Sequence, residues 1–471
     1  MTMDREQLIA EVVRAVTARL GAAEPASPPA AEGDGVFPTV DGAVEAATLA
    51  QRQVAAMSLA DRGRMCAIVK RICADNAPEL ARMELAETKI GRVDHKTAKL
   101  KNIRYVLGPE AMHTEAMSDA SGACLIEHAP WGVIGMVLPA THCVPTLASN
   151  AINILAAGNT AVFSPHPAGA KITTYALQWF NREIQGELGV ANVLTTIGEP
   201  TIQAAGEIFQ HPGVPLLCVT GGPAVVKAAA GSGKRVIAAG PGNPPVVVDE
   251  TADLDLAARS IIEGGGFDNN ILCIAEKEIF VVAAVADRFI EAMRRAGALQ
   301  LDAQAIERLT KAAFRFDPDG TPHVNKDYIG KDTAVLGQAA GVSVPPGTDM
   351  LFGETAEDHP FVQEEQMMPF IPVVRMPSVD AAVAASVKAE RGYRHTAMIH
   401  SRNVDNATKM GRAMNCTLFV QNAPSFASLG IGGASYLSHS IATPTGEGVT
   451  TPLTFTRQRR IVVGAGGMRV L

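Results

Sequence analysis

A chain of 471 residues, 47% hydrophobic and 19% charged, has room for roughly two or three domains with substantial cores. Its formal net charge of −7 and lack of a Lys/Arg-rich block argue against a nucleic-acid partner. No apolar run approaches the ~20 residues of a membrane span, and the N-terminus lacks the apolar core of a secretory signal. The seven cysteines are scattered with no Cys-x-x-Cys pair, so neither a disulfide framework nor a metal site is signalled, and a reducing, cytoplasmic setting is expected.

The chain begins with a self-contained unit. Leu8, Val12, Val16 and Leu20 form one apolar stripe beside Ile9 and Val13, and Arg5, Glu6, Glu11, Arg14 and Arg19 cover much of the rest. That spacing predicts an amphipathic helix over Met3–Leu20. The Pro/Ala/Gly-rich stretch from Gly21 to Gly35 cannot build a core and reads as a linker. A helix on such a tether either folds back onto its parent domain or docks into another protein's groove, and the linker favours docking.

From Val36 to about Met117 the pattern is helical, with segments Ala43–Met57 and Ala60–Ala74 near the 3.6 period. Strands are then predicted at Gly132–Leu138, Thr160–Phe163, Val193–Thr196 and Leu216–Val219, with helices over Ser149–Ala157, Ala168–Ile184 and Ala224–Ala230. A second alternating block follows. It has strands at Pro245–Val248, Val281–Val282, Ile371–Val374 and Thr396–His400, and helices over Asp253–Gly264, Asp287–Arg295 and Ser378–Lys388. Strand–helix alternation implies two α/β domains with largely parallel sheets, which bind ligands at the carboxyl ends of their strands. The tail up to Ile461-Val462-Val463 reads as a lone strand needing an edge, such as one in another subunit.

Cys273 is the residue with the most chemical content. It ends the run Gly264-Gly265-Gly266-Phe267-Asp268-Asn269-Asn270-Ile271-Leu272 just before the apolar Ile279-Phe280-Val281-Val282. Glycines let the backbone approach a ligand or adopt positive φ, and a thiolate there would be a strong nucleophile towards a carbonyl carbon. The competing reading is a small buried hydrophobe. Gly231-Ser232-Gly233-Lys234-Arg235 fails the phosphate-loop pattern at Ala228 and Arg235, and no G-x-G-x-x-G follows an early strand. Three strand-end loops look ligand-facing: Ser164-Pro165-His166-Pro167, Thr220-Gly221-Gly222-Pro223, and Ala238-Ala239-Gly240-Pro241-Gly242-Asn243-Pro244. The second sets two glycines between a strand and a helix, where backbone N–H groups and the positive helix end suit a pyrophosphate. Glu364-Glu365 offers a carboxylate pair or an exposed acidic turn, and His142 a cleft residue or a structural histidine.

In this order the loops resemble the aldehyde dehydrogenase superfamily over essentially all of Val36–Leu471. Within it they are most similar to the CoA-acylating branch, the propionaldehyde and acetaldehyde dehydrogenases of bacterial microcompartments. The resemblance rests on Gly158–Pro167, Val219–Pro223, Ala239–Pro245, the Asn269–Cys273 loop, Gly446–Thr451 and Thr454–Arg457. It implies two Rossmann-like α/β domains with a cleft between them plus a small oligomerisation element. The implied domains are an encapsulation helix over 1–20, a linker over 21–35 and a cofactor-binding domain over 36–245 with an oligomerisation hairpin near 115–131. A catalytic domain over 246–435 and a C-terminal return segment with an oligomerisation strand over 436–471 complete the chain.

The resemblance makes Cys273 the nucleophile, with NAD as cofactor and CoA as co-substrate. It assigns cofactor contacts to Ser164, Pro165, His166, Gly198, Thr220, Gly221, Gly222, Ala239 and Gly240. Glu365 becomes the ribose-binding carboxylate, with Met367 where an aromatic is usual. Two departures follow. Ala239 stands where hydrolytic members carry the glutamate that activates water, so a thiol acceptor is implied. The oxyanion-binding asparagine is missing near Thr141, which leaves Thr141, His142 or the Cys273 backbone N–H to serve. The expected activity is oxidation of a short-chain aldehyde to acyl-CoA by a homodimer or homotetramer in a microcompartment lumen, docked to a shell protein through the N-terminal helix. Hydrolytic aldehyde dehydrogenase, acyl-phosphate reductase and non-catalytic shell-bound scaffold are the alternatives.

Overall fold

The computed structural model describes residues 34–464, so the helix expected over Met3–Leu20 and most of the linker lie outside the described residues. The chain forms two compact units. The first comprises the described residues through Glu87, Leu100–Gly240 and those from Leu437 onward; the second comprises Thr88–Lys99 and Pro241–Tyr436.

The sheet of the first unit has six strands: β1 (Val36–Phe37), β2 (Val133–Val137), β3 (Thr160–Ser164), β4 (Leu194–Ile197), β5 (Leu216–Thr220) and β6 (Arg235–Ala239). They lie in the order β1-β4-β3-β2-β5-β6, and every pairing is parallel. Burial on both faces explains why β3 and β4 read as continuous apolar or Thr runs rather than as alternation. Val36–Phe37, inside the stretch read as helical, is a strand because it adds to β4 at the sheet's edge.

Helix α1 (Cys143–Ala156) starts six residues before the expected Ser149, and all 14 of its residues are buried. Pro145 does not delay its start, because a first-turn N–H has no intrahelical acceptor to lose. Asn159 locks the turn after α1. Its Oδ1 accepts from the Trp131 and Gly132 N–H groups at 2.7 and 3.0 Å, and its Nδ2 donates to Phe455 O at 2.9 Å.

Hairpin strands Glu115–Asp119 and Gly122–Pro130 form a separate antiparallel sheet with the tail strand Thr456–Val463. The tail, read from sequence as needing an edge such as one in another subunit, therefore pairs with its own chain. Its register aligns Met117, Cys124 and Val462 in one row and Ala116, Leu125 and Ile461 in the next.

The second unit holds a seven-stranded parallel sheet: β7 (Pro245–Val248), β8 (Glu278–Val282), β9 (Leu299–Gln300), β10 (Leu351–Glu354), β11 (Phe370–Met376), β12 (Thr396–His400) and β13 (Leu418–Gln421). Their order is β9-β10-β11-β8-β7-β12-β13. The centre is apolar, with Val246, Val247, Ile279, Phe280, Ile371, Val373 and Met398 all at 0% exposure.

Candidate active site

In the first unit the chain passes from β2 to β3 on one side and later returns to β5 on the other, so the strand order reverses at β2. Loops leaving the carboxyl ends of strands flanking such a point form the ligand crevice of an open α/β sheet. Thr141 and His142 follow β2, and Ser164 ends β3 with Pro165 and His166 just beyond. Gly198 follows β4, Thr220 ends β5 ahead of Gly221 and Gly222, and Ala239 ends β6 ahead of Gly240. All the first-unit residues named from sequence thus share one sheet edge.

Hydrogen bonds tie neighbouring loops together: Leu138 N to Ser164 O at 3.1 Å, and Gly221 N to Ala239 O at 3.2 Å. Gly222 caps helix α2 (Pro223–Ala230), and a Cβ there would have nothing within 4 Å, so the helix entrance is open. Thr220 Oγ1 lies 3.2 Å from Ser440 Oγ, and a Cβ on Gly240 would meet Pro444 at 2.9 Å. The C-terminal return segment therefore packs close against this edge. His166 is exposed, and its Nδ1 accepts from Ala168 N at 3.1 Å, capping a short 3₁₀ turn. His142 is buried, with its ring 5.8 Å from that of His439.

The cysteine lies on the opposite kind of edge. Helix α3 (Leu254–Gly266) runs into a 3₁₀ turn at Phe267–Asn270, and Cys273 comes before β8, at the amino end of the strand. Glu365 and Met367 precede β11, Gly242 precedes β7, and His395 immediately precedes β12. Since β11, β8, β7 and β12 are adjacent, four amino-end loops converge around the thiol. The carboxyl-end rule, taken from sequence for both domains, holds for the first-unit cofactor candidates and not for Glu365, Met367 or the nucleophile.

The glycines before Cys273 also differ from expectation. Gly264–Gly266 are helical and buried, with no positive φ. They are small because the helix is crowded: a Cβ on Gly264 would meet the Glu276 carboxylate at 2.3 Å, and one on Gly265 would meet Met350 Cε at 2.8 Å. Positive φ falls instead on Asp268, Asn269 and Asn270, at 50°, 56° and 66°. Asx residues tolerate this region better than most, and three in succession require outside support.

Asp268, at 0% exposure, accepts from Arg92 N at 2.7 Å and pairs with Lys99 and Lys96. Burial opposes ionisation of Asp268, yet Lys99 and Lys96 together hold its carboxyl below the usual range. Asn269 Nδ2 donates to Gly330 O at 3.0 Å and to Asp332 Oδ1 at 2.8 Å. Asn270 Nδ2 donates to Gly265 O at 2.8 Å and to Glu276 O at 2.9 Å.

Cys273 keeps some accessible surface, yet it is so closely surrounded that burial, followed by the Glu365 charge, pushes its thiol up to about 12 against the pull of Lys277. The resting group is therefore held as the thiol. Burial raises Glu365 and lowers Lys277, and each offsets the other's shift. Burial, reinforced by Lys277, lowers His395 to about 4, so its imidazole is neutral near pH 7. His395 Nδ1 lies 2.8 Å from Thr396 Oγ1, and its buried Nε2 has no protein partner. Sequence reasoning passed over both His395 and Lys277. The available signal was the charged triplet Glu276-Lys277-Glu278 at the mouth of a fully buried strand. Among the described residues no group of three or more His, Cys, Asp or Glu is arranged to hold a metal ion.

The model of the aldehyde dehydrogenase family matches residues 35–434. The chain is 43% identical to the acetylating acetaldehyde dehydrogenase of Salmonella typhimurium, over 97% of this chain and 98% of the relative. It is 40% identical to the CoA-propanoylating propanal dehydrogenase of Citrobacter freundii, over 92% and 94%. The crystal structure of Rhodopseudomonas palustris propionaldehyde dehydrogenase with bound CoA and an acylated cysteine superposes with a TM-score of 0.89 at 40% identity, covering 92% of this chain and 99% of that one.

Proposed function

Because the chain belongs to the aldehyde dehydrogenase family, we propose that it oxidises a short-chain aldehyde, acetaldehyde or propionaldehyde, to the acyl-CoA with NAD and CoA. Cys273 Sγ forms a C–S bond to the aldehyde carbon as the C=O π bond opens, its proton passing to solvent and an oxyanion remaining on the former carbonyl oxygen. The backbone N–H of Cys273 receives that oxyanion, with Thr141 and His142 as further donors. The open entrance of α2 at the strand-order reversal fits a dinucleotide, which Ser164, Thr220, Gly221 and Gly222 would hold, with Glu365 for a ribose. NAD, when bound, supplies the hydride acceptor that turns the adduct into a thioester on Cys273. The CoA thiol then attacks the thioester, the Cys273 sulfur leaves and is reprotonated, and acyl-CoA departs.

The observation that carries CoA over water as acceptor is Ala239, a 5% exposed methyl group at the end of β6 where hydrolytic members carry a glutamate. NADH formation from acetaldehyde and propionaldehyde, measured with and without CoA, tests the proposal. Turnover is expected to require CoA and to vanish in Cys273→Ala. Release of free acid at full rate without CoA, or phosphate replacing CoA as acceptor, would overturn it.

The amphipathic segment Met3–Leu20 on its Pro/Ala/Gly linker supports delivery of the enzyme to a microcompartment lumen through a shell protein. Removing residues 1–20 is expected to leave turnover intact and abolish encapsulation. A homodimer or homotetramer is supported by the three-stranded sheet, where Val462 is 71% and Met117 54% exposed in one cross-strand row.

A further inference from the structure

Lys277 is at 0% exposure, and its side chain turns back along the loop that carries the nucleophile. Its Nζ donates to Asn270 O at 2.7 Å, to Asn270 Oδ1, and to Leu272 O at 3.2 Å. Its own N–H donates to Pro244 O at 3.0 Å, and its carbonyl accepts from Gln366 Nε2 at 3.3 Å. One residue therefore joins the cysteine loop, the turn before β7 and the loop bearing Glu365.

The bond to Leu272 O matters most. That carbonyl and the N–H of Cys273 belong to the same planar trans peptide, so fixing one fixes the direction of the other. A cation on the carbonyl oxygen also withdraws electron density from the peptide and strengthens its N–H as a donor. Ala275 N holds the same carbonyl at 3.1 Å, which leaves the peptide little freedom to rotate. The bonds to Asn270 secure the last of the three positive-φ residues, so the loop cannot relax by flipping upstream.

We propose that Lys277 is a positioning residue for acyl transfer, orienting and polarising the Leu272–Cys273 peptide so that its N–H receives the oxyanion formed on the aldehyde. The proposal rests on the CoA-acylating reading of the site. It explains how a chain lacking the oxyanion-binding asparagine near Thr141 stabilises the charge: the backbone donor is strengthened from behind. The charged and titratable groups around Lys277 are Cys273, Glu276, Glu278, Glu365 and His395.

The test compares two reactions of one sulfur in the full chain. CoA-dependent aldehyde oxidation passes through an oxyanion; alkylation of Cys273 by iodoacetamide does not. Lys277→Met is expected to lower kcat by about 10–100-fold, short of the ~10²–10³-fold cost of deleting an oxyanion donor outright. KM for aldehyde and CoA should stay within about threefold, and alkylation should slow by less than about tenfold, the part due to the lost charge near the sulfur. Lys277→Arg, which keeps a charged donor, should recover most of kcat. Thermal melts report folding, and if Lys277→Met does not fold, Lys277→Gln and Lys277→Arg carry the same comparison. Equal losses in both reactions, or no loss in either, would overturn the proposal. A wild-type enzyme without CoA-dependent turnover would refute the underlying activity instead.

Discussion

Gly242 lies against Cys273 so closely that a Cβ at position 242 would stand 2.5 Å from the Cys273 carbonyl oxygen and 2.9 Å from the ring of His395. The glycine has no positive φ, so its requirement is one of space alone. Gly242→Ala must push the nucleophile loop and the β12 entrance apart. A loss of about 1–3 kcal/mol in stability is expected from such overpacking. Displacement of the reacting sulfur should cost roughly tenfold or more in kcat. Steady-state turnover and thermal melts check both; unchanged kcat with unchanged Tm would show that the loop yields freely.

The pH dependence of Cys273 follows from burial, then from Glu365, which together push its thiol up to about 12 with Lys277 opposing. At pH 7 the cofactor-free protein holds the protonated, unreactive form. Only the thiolate attacks, so the iodoacetamide rate should climb about tenfold per pH unit from pH 6 to 9 with no plateau. A plateau near pH 8 would mean a far more acidic sulfur than this packing produces.

How much was legible in the sequence differs between the two edges. The cofactor edge could be read because strand-end loops with Ser164, Gly221 and Gly240 follow apolar runs directly, and a parallel sheet places those loops together. The nucleophile edge depends on β11, β8, β7 and β12 being neighbours, although they are far apart in the chain. Local pattern cannot supply that order. Gly264–Gly266 suggest close approach to a ligand or positive φ when read from sequence, because their crowding partners, Glu276 and Met350, come from other segments. The Asp268–Asn270 run, which does take positive φ, has a composition that signals it only weakly.

Ala239 gives the acyl acceptor a direct test. Placing a carboxylate at the end of β6 with Ala239→Glu restores the group that hydrolytic members use to activate water. NADH formation without CoA should rise about tenfold or more over wild type, with free acid as product, while the CoA-dependent rate falls. No CoA-independent turnover in a folded variant would show that a base at this position is insufficient for hydrolysis in this chain.

Glu278 opens β8 at 0% exposure, and neither carboxylate oxygen has a protein partner. Burial pushes its carboxyl well above the ordinary value, with Lys277 opposing and the Glu390 charge adding to the rise. The folded state therefore keeps a proton that the unfolded chain releases once the pH exceeds the ordinary carboxylate range. Stability is lost as the pH climbs from there towards the folded-state pKa. Glu278→Gln has the shape of the protonated acid and no proton to release, so its advantage over wild type should grow with pH. A gain of about 2–4 °C in Tm at pH 8.5, roughly what 1 kcal/mol gives in a domain of this size, is expected with a smaller gain at pH 5.5. Melts of both proteins at the two pH values decide it: a difference that stays constant or shrinks as the pH rises would mean that Glu278 is ionised in the folded protein.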